Sequence, residues 1–596
     1  TPCAANTYSI IGATSCDYTS TTCPPGTYAS GTAACLLRLL PSCDFSNETS
    51  GTHTVPSPGC KLSQMITVNG AMNVSGVAGD SPLRELAAMG GTPTYALPKR
   101  HFHITTGNSL FLSYLKLMGG RVYSVYQDIA GWYTGGTLFG GSIMVEGSNA
   151  VLEVHASLFV GNGEVSAERG GAIVAREKAQ ATIVDSSFES FAAAKGCGAI
   201  WVETKATINI VSSQFIKNKA LVQHGGAMCV QNNASVAITD STFESNTAKG
   251  YGGGMAIWGS SVSIHSSNFF KNIATGQGDN QGGAIYSTCD ASSCDDHKLY
   301  VQLSIFGGNT ADTLGGALMN NRGTTTITKT NFTGNRANDH GGAVFVENSG
   351  STSFANCMLK NNTAGGSGGA VAISSGSQAF FASCTLKDNN AGNSGGAVNI
   401  NSGPASFTSC TLEDNTAVSG GAMFIEGSGG LLTLKGGNNT FTSNKANTIY
   451  KHSNGAVLTF DICPPGTFQP LVDPSTTYDI DNNFIGCPLS CPAGKTTANF
   501  PEYAERVVAP CERNSCTTCS NSCSCCSGCS RSANCPACCD ISAKGSETWC
   551  TADCPAGYFC PGPPGATRIH LGSGYCNDER GKKHTPGGLQ ECDQYC

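Results

Sequence analysis

The sequence predicts an all-β parallel β-helix, a solenoid of about 27 residues per coil, and three observations carry that reading. First, a motif of Phe or Leu, an Asn three residues later, an Ala two further on and then Gly-Gly recurs along the middle of the chain. Phe243, Asn246, Ala248 and Gly252-Gly253 form one copy, and Phe332, Asn335, Ala337 and Gly341-Gly342 another. Second, counted from Gly170 with Cys197-Gly198 as a variant copy, the Gly-Gly intervals are 27, 28, 27, 30, 33, 26, 27, 27 and 25 residues, the signature of stacked structural repeats. Third, each copy holds short runs of period-two alternation, such as Ala181 to Asp185 and Ala343 to Glu347. β-Branched residues, Gly and Asn dominate, and no 3.6-residue stripe persists.

Stacking coils about 4.8 Å apart turns each motif position into a column with one task. The Phe or Leu column faces inward, and the residue two before it shares that strand face: Ser186, Ser213, Ser241, Ser267, Ser304, Thr330, then Cys357, Cys384 and Cys410. These cysteines lie one coil apart, a spacing compatible with a disulfide; an odd column leaves at least one buried thiol, or three small hydrophobes. Asn246, Asn335, Asn362, Asn389 and Asn415 are expected at a corner as a hydrogen-bonded amide ladder that needs no ligand. The Gly-Gly pair supplies positive φ and close chain approach at a second corner. The two long intervals are explained by loop insertions at Thr275 to Gln281 and around Cys289 to His297. Upstream, His101 to Ile104, Leu110 to Leu112 and Leu115 to Gly120 read as less regular opening coils, beginning as far back as Met65. Asp80 to Gly90, with an N-cap, a first-turn proline at Pro82 and a terminal glycine, reads as one short helix.

The tandem Gly-Gly-Ala-[Ile/Leu/Val] and Phe-x-x-Asn motifs resemble the repeats of polymorphic outer-membrane proteins, which belong to the right-handed, pectin-lyase-like β-helices. The likeness covers roughly residues 140 to 446. It implies a right-handed parallel β-helix and an adhesin that binds a host or neighbouring cell. The chain departs from that family because cysteine-rich segments, and no membrane β-barrel, follow the repeats. That favours a eukaryotic secretory route over autotransport.

Of 596 residues only 13% are charged and 75 are Gly; the net charge is -7 with no basic run, which argues against nucleic acid or anionic membrane as partner. No apolar run approaches the ~18 residues of a membrane span. A chain beginning Thr1-Pro2-Cys3 reads as a mature secreted form whose leader has been removed. The 32 cysteines divide unevenly, six before residue 61, seven in the repeats and nineteen from Cys463 onward, which sets three regions: a cysteine-rich segment 1–61, a β-helix 62–460 and cysteine-rich modules 461–596. So many thiols suit an oxidising, extracellular or cell-surface setting. Sequons at Asn47, Asn73, Asn233, Asn331, Asn361 and Asn438 agree with it.

The ends carry Cys-Pro-x-Gly signals at Cys23, Cys463, Cys491 and Cys554, which resemble ephrin-receptor-like and growth-factor-receptor-like disulfide modules. Cys463, Cys487, Cys491, Cys511, Cys516, Cys519, Cys554 and Cys560 are read as members of that framework. Cys516-x2-Cys519 has zinc-ligand spacing, but no His lies in the cluster and its neighbours are of disulfide type, so the reading is disulfides with no metal and no cofactor.

Groups that could do chemistry are few. Asp388 and Asp414 occupy equivalent positions one coil apart, with Lys360, Lys387 and Glu413 in the adjacent column. Such carboxylates could bind Ca2+ or share acid and base duties; the plainer reading is corner residues with a Lys387–Glu413 surface ion pair. Asp295-Asp296-His297 vaguely resembles the Asp-Asp step of pectin hydrolases, without that family's other elements. His224 and His340 precede Gly-Gly corners too far apart to form a pair, and His101 and His103 read as a solvated pair on one strand face. The expectation is therefore a secreted, non-enzymatic structural protein: a glycosylated β-helix rod that builds an extracellular filament, appendage or coat end to end. Its partners would be copies of itself, and carbohydrate or extracellular matrix proteins. The rivals are a polysaccharide lyase or hydrolase and a cell-surface adhesin.

Overall fold

The computed structural model describes residues 40–460, apart from 89–99, 121–138 and short loop gaps, together with isolated short strands towards either terminus. These residues belong to two compact units, one reaching Ala372 and the other starting at Ile373.

In the first unit a complete coil has four strands, as in Ile200–Val202, Thr207–Val211, Gln214–Ile216 and Lys219–Ala220. We call the sheets they enter A, B, C and D. Each strand pairs in parallel with its counterpart in the next coil: Ile200 with Met228, Thr207 with Ser235, Gln214 with Thr242 and Lys219 with Thr247. Sheet B recurs from Gly51–Thr54 to Ser351–Ala355, whereas sheet D begins only at Val165–Arg169. The second unit repeats the pattern, with Gln378–Ala382, Pro404–Thr408, Leu431–Lys435 and Val457–Phe460 pairing in order. The protein is thus an all-β parallel solenoid with no helix among the described residues.

The core of the first unit is a column of rings. Phe159, Phe188, Phe215, Phe243, Phe269, Phe306 and Phe332 are fully buried and stack face to face with centroids 4.5 to 5.0 Å apart. That spacing follows from the coil repeat and lets each ring cover the next. The column continues down through Leu117 and Leu86, which are register partners. Leu86 explains a correction. Arg84–Ala87, expected within a short helix, is a strand paired on both sides, with Gly59–Lys61 and Leu115–Met118. Two partner strands and a core slot for Leu86 outweigh the local capping signal of Asp80 and Pro82.

Two kinds of polar column turn the chain. Ser213 Oγ accepts from the Ser186 backbone N–H at 3.1 Å and donates to the Val211 carbonyl at 2.8 Å, and the same exchange runs coil after coil. The Asn ladder does the same at the next corner, where Asn246 donates from Nδ2 to the Phe215 carbonyl and to Asn272 Oδ1, both at 2.9 Å. The residue before each ladder Asn makes the turn itself in the left-handed region, with φ of 55° at Lys217, 56° at Ser245 and 52° at Lys271. At the Gly-Gly corner the first glycine takes positive φ, 67° at Gly225, while at Gly226 a Cβ would stand 2.0 Å from the carbonyl oxygen of Gly253. The pair therefore has two reasons to be glycine, one conformational and one steric. Of the alternatives open for the cysteine column, the structure has three buried thiols, Cys357 in the first unit and Cys384 and Cys410 in the second. They replace the Ser hydroxyl with a small, weakly polar group.

Candidate functional site on the outer face of sheet A

Strands of sheet A are buried on both faces. In Ile200–Val202 all three residues are covered, although only Ile200 and Val202 point into the solenoid. The outward residues stack in register as Val174, Trp201, Cys229, Ala256, Tyr286, Met319 and Phe345. They form two apolar clusters outside the main core. One contains Val174, Cys197, Trp201 and Cys229 with Phe139 against it; the other contains Tyr286, Met319, Phe345 and Ala372 with Tyr251 and Leu314. Trp258 packs on both. Tyr251 and Leu314 come from the segment that leads from sheet D into the Gly-Gly corner. Where Cys197 replaces the first glycine it keeps positive φ, at 60°, and is bonded to Cys229 of the next coil.

Over this layer lies an open groove of about 380 Å3, lined by Arg169, Gln223, His224, Gln231, Asn232, Trp258, Asp290 and the Cys197–Cys229 disulfide. His224 Nδ1 accepts the Tyr251 backbone N–H at 3.0 Å; its ring stacks on Tyr251 at 4.6 Å and meets Trp258 at 5.1 Å with a 54° tilt. Burial, and then the neighbouring Arg169 charge, push the His224 pKa down to about 4. The ring is therefore neutral near pH 7 and carries its proton on Nε2. Arg169 lies over the Trp201 ring at 5.1 Å, a cation–π contact. Beside the groove, Gln231 donates to Glu203 at 3.4 Å, and burial raises the Glu203 carboxyl above its usual value. Burial would also raise Glu146, but hydrogen bonds from Arg176 at 2.9 Å and His103 at 2.6 Å hold it below the usual carboxylate range.

The residues singled out in the sequence are placed elsewhere. Asp388 and Asp414 are left-handed corner residues, each with φ of 54°, and Lys387 Nζ reaches Glu413 at 2.9 Å and Asp414 at 3.4 Å. His297 is buried between Ser287 Oγ and the Ser260 carbonyl, both at 2.9 Å, and Asp296 is exposed; Asp295 lies outside the described residues. His340 Nδ1 accepts the Ser367 N–H at 3.0 Å, capping a corner as His224 does. His101 and His103 are not a solvated pair. His101 is wholly buried, with Nε2 3.1 Å from both the Leu86 and Met118 carbonyls, and desolvation lowers its pKa to about 4. His103 is tied to Glu146 instead. His101 stands in the column of Ser142, Ala172 and Ala199, the position after the Gly-Gly corner, which is buried in every one of these coils.

Ladder residues Asn246, Asn335, Asn362, Asn389 and Asn415 are all buried, and Asn218, Asn272, Asn309 and Asn444 extend the ladder. Asn47, Asn233, Asn331 and Asn361 are exposed and Asn73 half-buried, while Asn438 lies outside the described residues. The side chains of Cys463, Cys487, Cys491, Cys511, Cys516, Cys519, Cys554 and Cys560 also lie outside them. Among the described residues, no group of three His, Cys, Asp or Glu side chains is placed to hold a metal ion, and no helix is long and apolar enough to cross a membrane. Among the described residues three disulfides are present, Cys43–Cys60, Cys197–Cys229 and Cys289–Cys294, consistent with an extracellular protein. Trp201, Tyr251, Trp258 and Tyr286 were not anticipated. Their signal was the loss of alternation in runs such as Ile200-Trp201-Val202 and Met255-Ala256-Ile257-Trp258, which marks strands covered on both faces.

No protein-family model matches the chain, and no curated protein is significantly similar to it. Solved structures that align with it include the following two. One is a TibC-catalysed hyper-glycosylated TibA fragment, 12% identical, with 69% of this chain and 98% of that one covered and a TM-score of 0.23. The other is the catalytic domain of a GH87 α-1,3-glucanase in complex with nigerose, 10% identical, with 64% and 62% covered and a TM-score of 0.22.

Proposed function

We propose that this chain is a secreted, glycosylated, non-enzymatic structural protein that assembles end to end into an extracellular filament or coat. The supporting observation is how the coil uses its chemistry. Ladder amides, corner serines and corner histidines are engaged with the backbone of the neighbouring coil, and the one carboxylate pair suggested by sequence sits on the left-handed corners beside Lys387. Exposed sequons at Asn233, Asn331 and Asn361 give glycans open positions along the coils. A solenoid also has unpaired strand edges at its two ends, which need a cap or a partner, and contact between unlike ends generates an open fibre. Negative-stain imaging of the native protein under oxidising conditions tests the assembly; dispersed monomers at every concentration would refute it. Neutral and uronate polysaccharides test the enzyme alternative. Turnover by the wild type that disappears in an Asp388→Asn/Asp414→Asn variant would overturn the non-enzymatic reading.

A further inference from the structure

We infer that the groove over sheet A is a saccharide-binding site that takes a neutral pyranose chain. A pyranose presents two kinds of surface, C–H faces that lie against aromatic rings and hydroxyl edges that need planar donors and acceptors. Both are built into this groove. Trp258 and His224, with ring centroids 5.1 Å apart and a 54° tilt, make one continuous aromatic wall, Gln231 and Asn232 supply amides, and the Cys197–Cys229 disulfide lines the groove with them. The volume, about 380 Å3, is that of a small-ligand site.

The charge balance selects the class of sugar. Arg169 and Asp290 line the groove together and the imidazole is neutral, so no excess of positive charge is present to hold a phosphate, a sulfate or a run of uronates. The walls are also fixed before any ligand arrives. Trp258 is wedged between two apolar clusters, His224 is held by the Tyr251 N–H, and the disulfide ties adjacent coils. Preorganised walls lower the entropic cost of binding a flexible chain. Core packing alone accounts for Trp201 and Tyr286, which are 3% and 5% exposed; it does not account for a half-buried indole edged by amides and a guanidinium.

The site is independent of end-to-end assembly, so imaging and binding fail or succeed separately. The full chain is titrated by calorimetry with neutral gluco-, manno- and galacto-tetrasaccharides and, in a parallel arm, with a galacturonate tetrasaccharide, with tryptophan fluorescence as second readout. A neutral tetrasaccharide is expected to bind and change the emission, and Trp258→Ala to weaken it about tenfold. Because Trp258 also packs on the two apolar clusters, an Asn232→Gly variant, whose residue accepts the left-handed φ of 59° at that position, is run beside it and is expected to lose affinity with unchanged thermal unfolding. Absence of binding in both arms, or binding untouched by either variant, overturns the site. Preferential binding of the uronate, abolished by Arg169→Ala, overturns the assignment to a neutral sugar.

Discussion

Replacing Asn272 with alanine removes one rung of the ladder, and the structure sets the cost. The Asn272 amide donates to the Phe243 carbonyl at 2.9 Å and to Asn309 Oδ1 at 3.0 Å, and accepts from the Asn246 backbone N–H at 3.1 Å and from Asn246 Nδ2 at 2.9 Å. All four bonds are buried, each is worth about 1 kcal/mol net, and the stranded Asn246 N–H adds a desolvation penalty of about 1–3 kcal/mol. The expected loss is therefore about 5–7 kcal/mol, far above the roughly 0.5 kcal/mol of a neutral surface change. Solenoid coils unfold as coupled neighbours rather than in one step, so the assay is hydrogen exchange resolved by residue. In Asn272→Ala the Asn246 amide should lose its protection, while the Asn218 amide, bonded to Asn246 Oδ1 at 2.9 Å, keeps most of its own. Undiminished protection at Asn246, with a urea midpoint like that of a surface variant, would refute the reasoning.

Gly226→Ala puts a Cβ 2.0 Å from a backbone oxygen of the next coil and should abolish soluble expression or cut the melting temperature sharply. Gly334→Ala, at φ +65° with nothing within 4 Å, should cost only the left-handed strain of about 1–2 kcal/mol. Burial holds the His101 pKa at about 4 in the folded chain, against 6.5 for an ordinary imidazole. Between those values the unfolded chain takes up a proton that the folded chain refuses, so stability is full above pH 6.5 and falls as the pH drops towards 4, by roughly 3 kcal/mol. A urea-midpoint series over that range should show the slope in wild type and a shallower one in His101→Gln, where His224, also held near 4, keeps its own share. Lys387→Met removes the contacts to Glu413 and Asp414 but leaves an exposed corner, and its melting curve should overlay that of wild type.

Sequence exposed the inside of this molecule better than its outside. The ring column, the ladder and the Gly-Gly corner were legible because each recurs at one position per coil, and repetition separates a structural requirement from accident. The turn residues were harder to read, since Lys217, Ser245, Lys271 and Asp388 share a left-handed φ but no chemistry. The Asp80 to Gly90 segment misled because its capping residues act locally, whereas its strand is imposed by partners on both sides, Cys60 and Leu117 each pairing with Leu86. His101 misled for the same reason: a backbone cage formed by Leu86 and Met118, far from it in sequence, decides its burial.

The outer layer was hidden for a different reason, and that reason bears on function. A solenoid needs apolar residues only on its inner face, where every coil must repeat them to keep the next coil covered. Trp201, Tyr286 and Phe345 sit outside that requirement and share their column with the smaller Cys229, Ala256 and Met319. Such a column closes only where the corner segments cross it, and where they leave it open, between Arg169 and Asp290, polar side chains gather around Trp258. If this layer served stability alone, filling the opening would help. Asn232→Trp should then raise the melting temperature by extending the apolar cover; the saccharide reading instead expects little gain in stability, because Asn232 is exposed at positive φ, together with loss of glycan binding. A clear rise in melting temperature with binding intact would show the opening to be a packing defect and not a site.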